Sequence, residues 1–194
     1  RFATNKKTKR TLKIRQRRAI NTKKGGNNRK RQNAKVASLH NKITNRRNAY
    51  LWQVANKIVG KADAIAVEDL NIKGMVKRCK PKRCQETGRF LSNGQSAKRG
   101  LNRSILDASW GELISKIEDL AGKSGKIVLK VDPKHTSQIC SVCGCVDPTN
   151  RDREKFICVE CGYFAQADLQ AALNIKNRAI KQHGLAIKKI EKVR

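Results

Sequence analysis

Two Cys-x2-Cys pairs, Cys140/Cys143 and Cys158/Cys161, separated by fourteen residues, constrain the fold of this chain more than any other feature. Each pair sets two thiols on one side of a tight turn. Two such turns close a tetrahedral shell of four thiolates, the set that Zn²⁺ takes in structural sites. The gap lies at the short edge of the usual ribbon spacing of about 15–20 residues. Gly144 and Gly162 follow the second cysteine of each pair, and glycine lets the backbone fold back over a metal. Two disulfides or four free thiols are the competing reading. The spacing favours zinc in a reducing interior. Cys145 offers only a Cys-x-Cys pairing with Cys143 and is expected to stay outside the ligand set. Cys79 and Cys84 have no second pair nearby and read as free thiols.

Charge narrows the choice of partner. The chain carries 45 Lys/Arg against 15 Asp/Glu, a net +30 over 194 residues. Residues 1–62 hold twenty of those bases and no acid at all. Such a block repels itself unless a polyanion lies beside it. The simplest polyanion is nucleic acid, bound through counterion release. A disordered basic tail is the alternative, weakened by periodicity further along. Hydrophobic residues make up 38% and aromatics 4%, so the core is aliphatic and modest. No run of about 18 apolar residues suggests a membrane span, and no signal-peptide pattern follows Arg1.

Along the chain, residues 1–33 read as basic and polar, broken at Gly25-Gly26-Asn27-Asn28. From about Asn33, Val36, Leu39, Ile43, Tyr50, Leu51, Val54 and Ile58 fall on one helical stripe. Lys35, Lys42, Arg46, Arg47 and Lys57 occupy the other faces, with Gly60 as a stop. Residues 62–68 read as a short buried strand ending in Glu68. Residues 73–103 read as a mobile basic loop. A second amphipathic helix follows through Leu106, Trp110, Leu113, Ile114, Ile117 and Leu120, with Ser104 as a candidate cap. Residues 126–131 form a second strand, stopped at Asp132-Pro133. After the cysteines, residues 167–180 read as a helix opening near Asp168, and Gly184 precedes a basic tail.

Two carboxylates stand out. Glu68 ends a strand and Asp168 opens a helix. Acids at such ends, gathered by a sheet, are how proteins hold hard divalent cations. A pair of Mg²⁺ ions can activate water against a phosphodiester. Each acid also has an ordinary reading: a strand-end acid for Glu68, and for Asp168 a helix-start acid favoured by the macrodipole.

The run Ala64-Ile-Ala-Val-Glu68-Asp-Leu-Asn-Ile-Lys-Gly-Met75 resembles the second nuclease motif of the transposon-encoded TnpB (OrfB) proteins. Asp107-Ala-Ser-Trp110-Gly-Glu resembles the helix that follows it there. Lys130-Val-Asp-Pro133 and Thr136-Ser137-Gln-Ile-Cys140-Ser-Val-Cys143-Gly144 are similar to the entry into that family's zinc ribbon. Phe156-Ile-Cys158-Val-Glu-Cys161-Gly162 and Ala167-Asp168-Leu-Gln-Ala-Ala-Leu-Asn174-Ile175 are similar to its close and to the third nuclease motif. The likeness runs through nearly the whole chain from about residue 10. It implies an RNA-guided DNA endonuclease related to the type V CRISPR effectors. The implied catalytic residues are Glu68 and Asp168, which would bind Mg²⁺. Cys140, Cys143, Cys158 and Cys161 would hold structural Zn²⁺. Gln170 stands where the family usually has Asn, and Gln166 where it often has a second acid. The family's first catalytic Asp precedes the basic block, and no acid precedes Asp63 here. A fragment or degraded remnant, inactive alone, is therefore expected.

The fold class that follows is α/β, a partial RNase H-like (RuvC) core with long basic helices and an inserted four-cysteine ribbon. The expected segments are 1–62, a basic helical block; 63–133, part of the core with loop 76–103; 134–164, the ribbon; and 165–194, the final helix and tail. Lys35, Lys42, Arg46, Arg47, Arg151 and Arg153 are the expected phosphate contacts. The expected partners are DNA and guide RNA, with neither a membrane nor a small-molecule substrate, in a bacterial or archaeal cytoplasm. His40, His135, His183 and Asp132 read as ordinary surface residues. The competing function is a non-catalytic basic zinc-ribbon protein that binds nucleic acid. A third reading is a transposase that joins DNA ends.

Overall fold

The computed structural model describes residues 4–184, so the basic tail beyond Gly184 lies outside the described residues. These residues form two compact units. One takes residues up to Lys61 together with Ile72–Leu120; the other takes Ala62–Asn71 and the chain from Ala121 onward.

The first unit begins with a helical hairpin of α1 (Lys6–Ile20) and α2 (Asn27–Val59). The stretch before Asn33, read from sequence as merely basic and polar, is thus helical almost throughout. Asn5 caps α1 by accepting from the Thr8 N–H at 2.7 Å, which satisfies one orphan donor of the first turn. No acid offsets the cations locally, so arginines bond to backbone instead. Arg29 donates to the Ile20 and Thr22 carbonyls, both at 3.0 Å, beyond the C-terminal turn of α1. Arg15 reaches the Lys35 carbonyl at 3.1 Å. The Ile20 carbonyl ends α1, where cations are favoured. In α2 the buried line is Leu51, Ala55 and Val59, four residues apart as one helical face requires. The apolar stripe upstream of Leu51 is only half-buried.

A short helix α3 (Ile72–Met75) leads to a two-residue hairpin, β2 (Lys82–Arg83) paired antiparallel with β3 (Phe90–Leu91). Then comes α4 (Gln95–Ala108), so the end of the basic loop is a helix. The cap is Gly94, not Ser104. One helix was expected across 104–120. The structure divides it at Ser109, whose φ of 53° lies in the left-handed region, before α5 (Trp110–Lys123). Asp107 draws α1, α2 and α4 together: its two oxygens pair with Lys9 at 3.4 Å and Arg47 at 3.2 Å. Ser109 is buried and its hydroxyl donates to the Leu106 carbonyl. A β-branched residue cannot take this φ without strain. Ser109→Val should therefore cost about 2 kcal/mol in chemical denaturation, whereas Ser109→Gly should stay near the wild-type midpoint.

The second unit is built on β1 (Ala64–Glu68) and β4 (Ile127–Val131). They pair in parallel, with Ala64 opposite Ile127 and Glu68 opposite Val131. Asp69 N–H to the Val131 carbonyl, at 2.8 Å, continues the ladder past Glu68. A three-stranded antiparallel ribbon follows: β5 (Arg151–Asp152), β6 (Lys155–Ile157) and β7 (Phe164–Gln166). It runs straight into α6 (Ala167–His183). The helix lies on the sheet, where Ile175 and Ala179 pack with Ala66, Leu129 and Val131. None of the described helices is long and apolar enough to cross a membrane.

Candidate metal centre and paired carboxylates

The two cysteine turns are built alike. Gly144 N–H donates to the Cys140 carbonyl and Gly162 N–H to the Cys158 carbonyl, each at 3.0 Å. Cys140 N–H then bonds the Cys145 carbonyl at 2.8 Å, and Cys158 N–H the Tyr163 carbonyl at 2.9 Å. Gly144 and Gly162 take φ of 79° and 70°, the left-handed geometry that a side chain would strain.

The four sulfurs lie within 4.8 Å of one another. Cys140 Sγ is 3.7 Å from Cys161 Sγ, and Cys143 Sγ is 3.5 Å from Cys158 Sγ. A zinc–sulfur bond of about 2.3 Å gives a tetrahedral sulfur–sulfur edge near 3.8 Å. A disulfide would need about 2.05 Å, and all seven cysteines are free thiols. The donor set therefore fits zinc, and the disulfide reading falls away. Proton affinities point the same way. Backbone N–H groups of Cys161 and Glu160 help draw the Cys158 thiol down to about 6. Cys143 accepts a backbone hydrogen bond from Cys145, which lowers it. Burial and the surrounding sulfurs outweigh that and push it up to about 12. Four adjacent thiols cannot all ionise without a cation between them. Cys145 lies outside the cluster, half-buried, its thiol pushed up by burial and by Cys158.

What fixes the two turns relative to each other is Asn150, fully buried. Its amide donates to the Gln138 carbonyl and accepts from Val159 N–H, both at 2.9 Å. Phe156 fills the space behind Cys140 and Cys158.

Glu68 and Asp168 belong to this same unit. Side chains alternate along a strand, so Glu68 shares a face with Ala64 and Ala66, the face that α6 covers. On α6, Asp168 lies on the same stripe as Ala172, Ile175 and Ala179, the residues that meet that face. The two carboxylates thus belong to one side of the sheet. Thr136 joins the elements: its hydroxyl donates to Glu68 Oε1 at 2.6 Å. The Thr136 carbonyl accepts from Asn174 Nδ2 at 2.8 Å. The N-terminal half of α6 is therefore at the Glu68 end of β1. Glu68 is half-buried; Asp168 is exposed and pairs with Arg151 at 3.1 Å. Among the described residues no third acid joins them in a metal-binding group; the one such group is the four cysteines.

The two departures at the start of α6 have local explanations. Gln166 caps the helix, its side-chain oxygen accepting from Leu169 N–H at 2.9 Å. Gln170 is fully buried. It donates to the Ile139 carbonyl and accepts from the Ser141 hydroxyl, both at 2.9 Å. Thr136, Asn150 and Asn174 are site residues that the sequence reading missed. Only Asn174, set between Leu173 and Ile175, carried a signal, a polar residue on an apolar stripe; Thr136 and Asn150 lie in polar runs.

The expected phosphate contacts divide. Lys35, Lys42, Arg46 and Arg153 are exposed. Arg47 is half-buried on Asp107, and Arg151 is engaged with Asp168. His40 is exposed. His135 faces Gln138 at 2.7 Å, and Asp132 accepts from Lys134 N–H at 3.0 Å as a turn acid.

This mixed helix/strand fold resembles that of Cas12 effector structures. The chain superposes on "Cryo-EM structure of CasPhi-2 (Cas12j) bound to crRNA and Phosphorothioate-DNA" with a TM-score of 0.52 at 22% identity. That match covers 86% of this chain and 24% of that one. It superposes on "Cryo-EM structure of the Cas12f1-sgRNA-target DNA complex" with a TM-score of 0.50 at 22% identity, covering 87% and 40%. Two family models match the sequence. OrfB_IS605, described as "Probable transposase", matches residues 3–79, and "Cas12f1-like, TNB domain" matches residues 110–175. Over these two stretches the chain is similar to the TnpB (OrfB) family. It is 37% identical over 155 residues to "Putative RNA-guided DNA endonuclease InsQ" of Escherichia coli (strain K12), covering 78% of this chain and 37% of that protein. It is 33% identical over 159 residues to "CRISPR-associated endodeoxyribonuclease Cas12f1" of Sulfoacidibacillus thermotolerans, covering 78% and 32%. The chain thus spans about a third of the length of these curated relatives.

Proposed function

We propose that this chain is the nuclease-side portion of an RNA-guided DNA endonuclease, with an RNase H-like core formed by residues 63–133 and the helix from residue 165. Residues 134–164 form the zinc ribbon inserted in that core, and residues 1–62 bind the guide–target duplex. The observation that carries the reading is the shared face of Glu68 and Asp168, one on β1 and one on α6, on either side of the cysteine ribbon in the chain. Relatives named as RNA-guided DNA endonucleases support it.

Glu68 and Asp168 would supply carboxylate ligands to Mg²⁺, which when bound makes a scissile phosphate electrophilic and water nucleophilic. Thr136 orients Glu68 by donating to one oxygen and leaving the other for a cation. Arg151 pairs with Asp168 at the helix start. With no third acid beside them among the described residues, the pair forms only part of a two-metal site. The basic hairpin tracks phosphates without reading bases.

The test uses the zinc-loaded chain. On titration with Mn²⁺, the amide signals of Asp69 and Leu169 should broaden together. Glu68→Gln or Asp168→Asn should weaken both effects. Independent broadening at separate concentrations would instead favour a non-catalytic basic ribbon protein. The purified chain should bind an RNA–DNA duplex without cutting it. Efficient Mg²⁺-dependent cleavage by the chain alone would overturn the claim that the site is partial. Lys35→Ala and Lys42→Ala should each lower the slope of log affinity against log salt by about one.

A further inference from the structure

A cavity of about 530 Å³ lies beside α4, between the helix and the chain segments on either side of the β2–β3 hairpin. This is within the range of about 300–1,000 Å³ that takes small ligands. Its lining is chemically divided. Val76 and Leu106 offer apolar surface, while Arg78, Arg99, Gln95 and Asn102 bring polar groups.

The hydrogen bonds show which of those polar groups remain available. The Gln95 side-chain oxygen accepts from Cys79 N–H at 2.9 Å, and Asn102 Nδ2 donates to the Val76 carbonyl at 2.6 Å. These bonds fix both amides to the loop wall. They leave Gln95 Nε2 as a donor and Asn102 Oδ1 as an acceptor. That Oδ1 is buried and, among the described residues, has no hydrogen-bond partner. Such an atom is costly unless something fills it. Neither Arg78 nor Arg99 has an ion-pair or hydrogen-bond partner among the described residues. A second cavity, of about 350 Å³, shares Arg99, Asn102 and Leu106 and adds Arg103.

We propose that this cavity receives one unpaired nucleotide unit. The base lies against Val76 and Leu106, with an amino edge toward Asn102 Oδ1 and an acceptor toward Gln95 Nε2. The phosphates lie on Arg78 and Arg99, and the strand leaves past Arg103. The ligand needs a flat apolar body, one donor and one acceptor at its edge, and an anion within a few ångströms. A nucleobase on its phosphate meets all three requirements. An acidic peptide would satisfy the arginines and, through its backbone, the amide pair, but it lacks the flat body that the surface of Val76 and Leu106 takes. The inference rests on the nucleic-acid reading of the basic chain, which itself assigns no base contact.

The experiment measures binding of fluorescent single strands to the zinc-loaded chain. The probes are short oligocytidylates, as DNA and as RNA, and a strand of equal length and charge lacking bases. The wild type should bind at least one base-bearing strand about tenfold more tightly than the baseless one. Leu106→Trp fills the cavity from an exposed helix position and should abolish that preference, leaving baseless binding unchanged. Asn102→Asp should lower it too, because the amide donor is lost and a charge enters. Circular dichroism controls for folding. DNA and RNA arms distinguish the strand, and cytidine monophosphate as competitor distinguishes a free nucleotide from a strand. Equal affinity for base-bearing and baseless strands, or a preference that survives Leu106→Trp, would overturn the cavity while leaving the polyanion reading intact. Failure to bind any strand would overturn both.

Discussion

Stripping zinc from the chain should erase amide protection across residues 135–166 and through the first two turns of α6, leaving the α1–α2 hairpin exchanging as before. The ribbon has little core of its own. Its largest buried side chain is Phe156, grouped with Cys140, Cys158 and Ala167. Strands of two or three residues are too short to stand unaided. Four thiolates on one ion supply what the core does not, with apparent binding free energies of about 10–16 kcal/mol for structural zinc. The loss should reach α6 because β7 passes into the helix without a linker and Gln170 bonds the Ile139 carbonyl beside Cys140. Hydrogen exchange before and after chelation is the measurement. Unchanged protection at Phe156 and Gln170 would show that the ribbon folds without metal.

The second large effect concerns the amides that join helix to ribbon. The Ile139 carbonyl accepts from both Gln170 Nε2 at 2.9 Å and Asn174 Nδ2 at 2.7 Å. The Thr136 carbonyl accepts from Asn174. Asn174→Leu leaves the Thr136 carbonyl unpaired in a buried setting and should cost about 1–3 kcal/mol. Gln170→Leu should cost a similar amount, through Ser141. The double variant removes both donors from Ile139. Its cost should exceed the sum of the singles by about 1 kcal/mol, within the range for residues in one network. Urea denaturation of the four proteins closes the cycle; strict additivity would mean that the shared carbonyl is satisfied some other way.

Much of this was legible in the sequence because it depends on local spacing. The Cys-x2-Cys pairs became two matching turns with their sulfurs together. The apolar runs at 62–68 and 126–131 became β1 and β4, which start two residues and one residue later. Positions 167–180 became α6. What spacing could not show were bonds between residues far apart in the chain. A block of twenty bases with no acids reads as self-repelling, yet Arg15 donates to the Lys35 carbonyl on the next helix and Asp107, far along the chain, draws two helices in. The end of the 73–103 stretch looked unstructured because its helix begins with polar residues and has no side-chain cap. The division of α4 from α5 depends on one residue in a left-handed conformation, which apolar periodicity does not register. Thr136, an ordinary hydroxyl in sequence, acquires its place only when Glu68 lies opposite it.

Among the described residues, β1 and β4 each pair on one side only. Two parallel strands are fewer than a sheet normally needs, and an outer strand edge is where a further strand can add. In concentrated solution the nearest strand belongs to another copy of the chain. The net charge of +30 then acts as a colloidal guard, holding copies apart beyond the reach of edge-to-edge pairing. Salt weakens that guard, and so would a bound polyanion. If the proposed function holds, occupancy by nucleic acid is therefore also the condition in which the open sheet is most exposed to self-association.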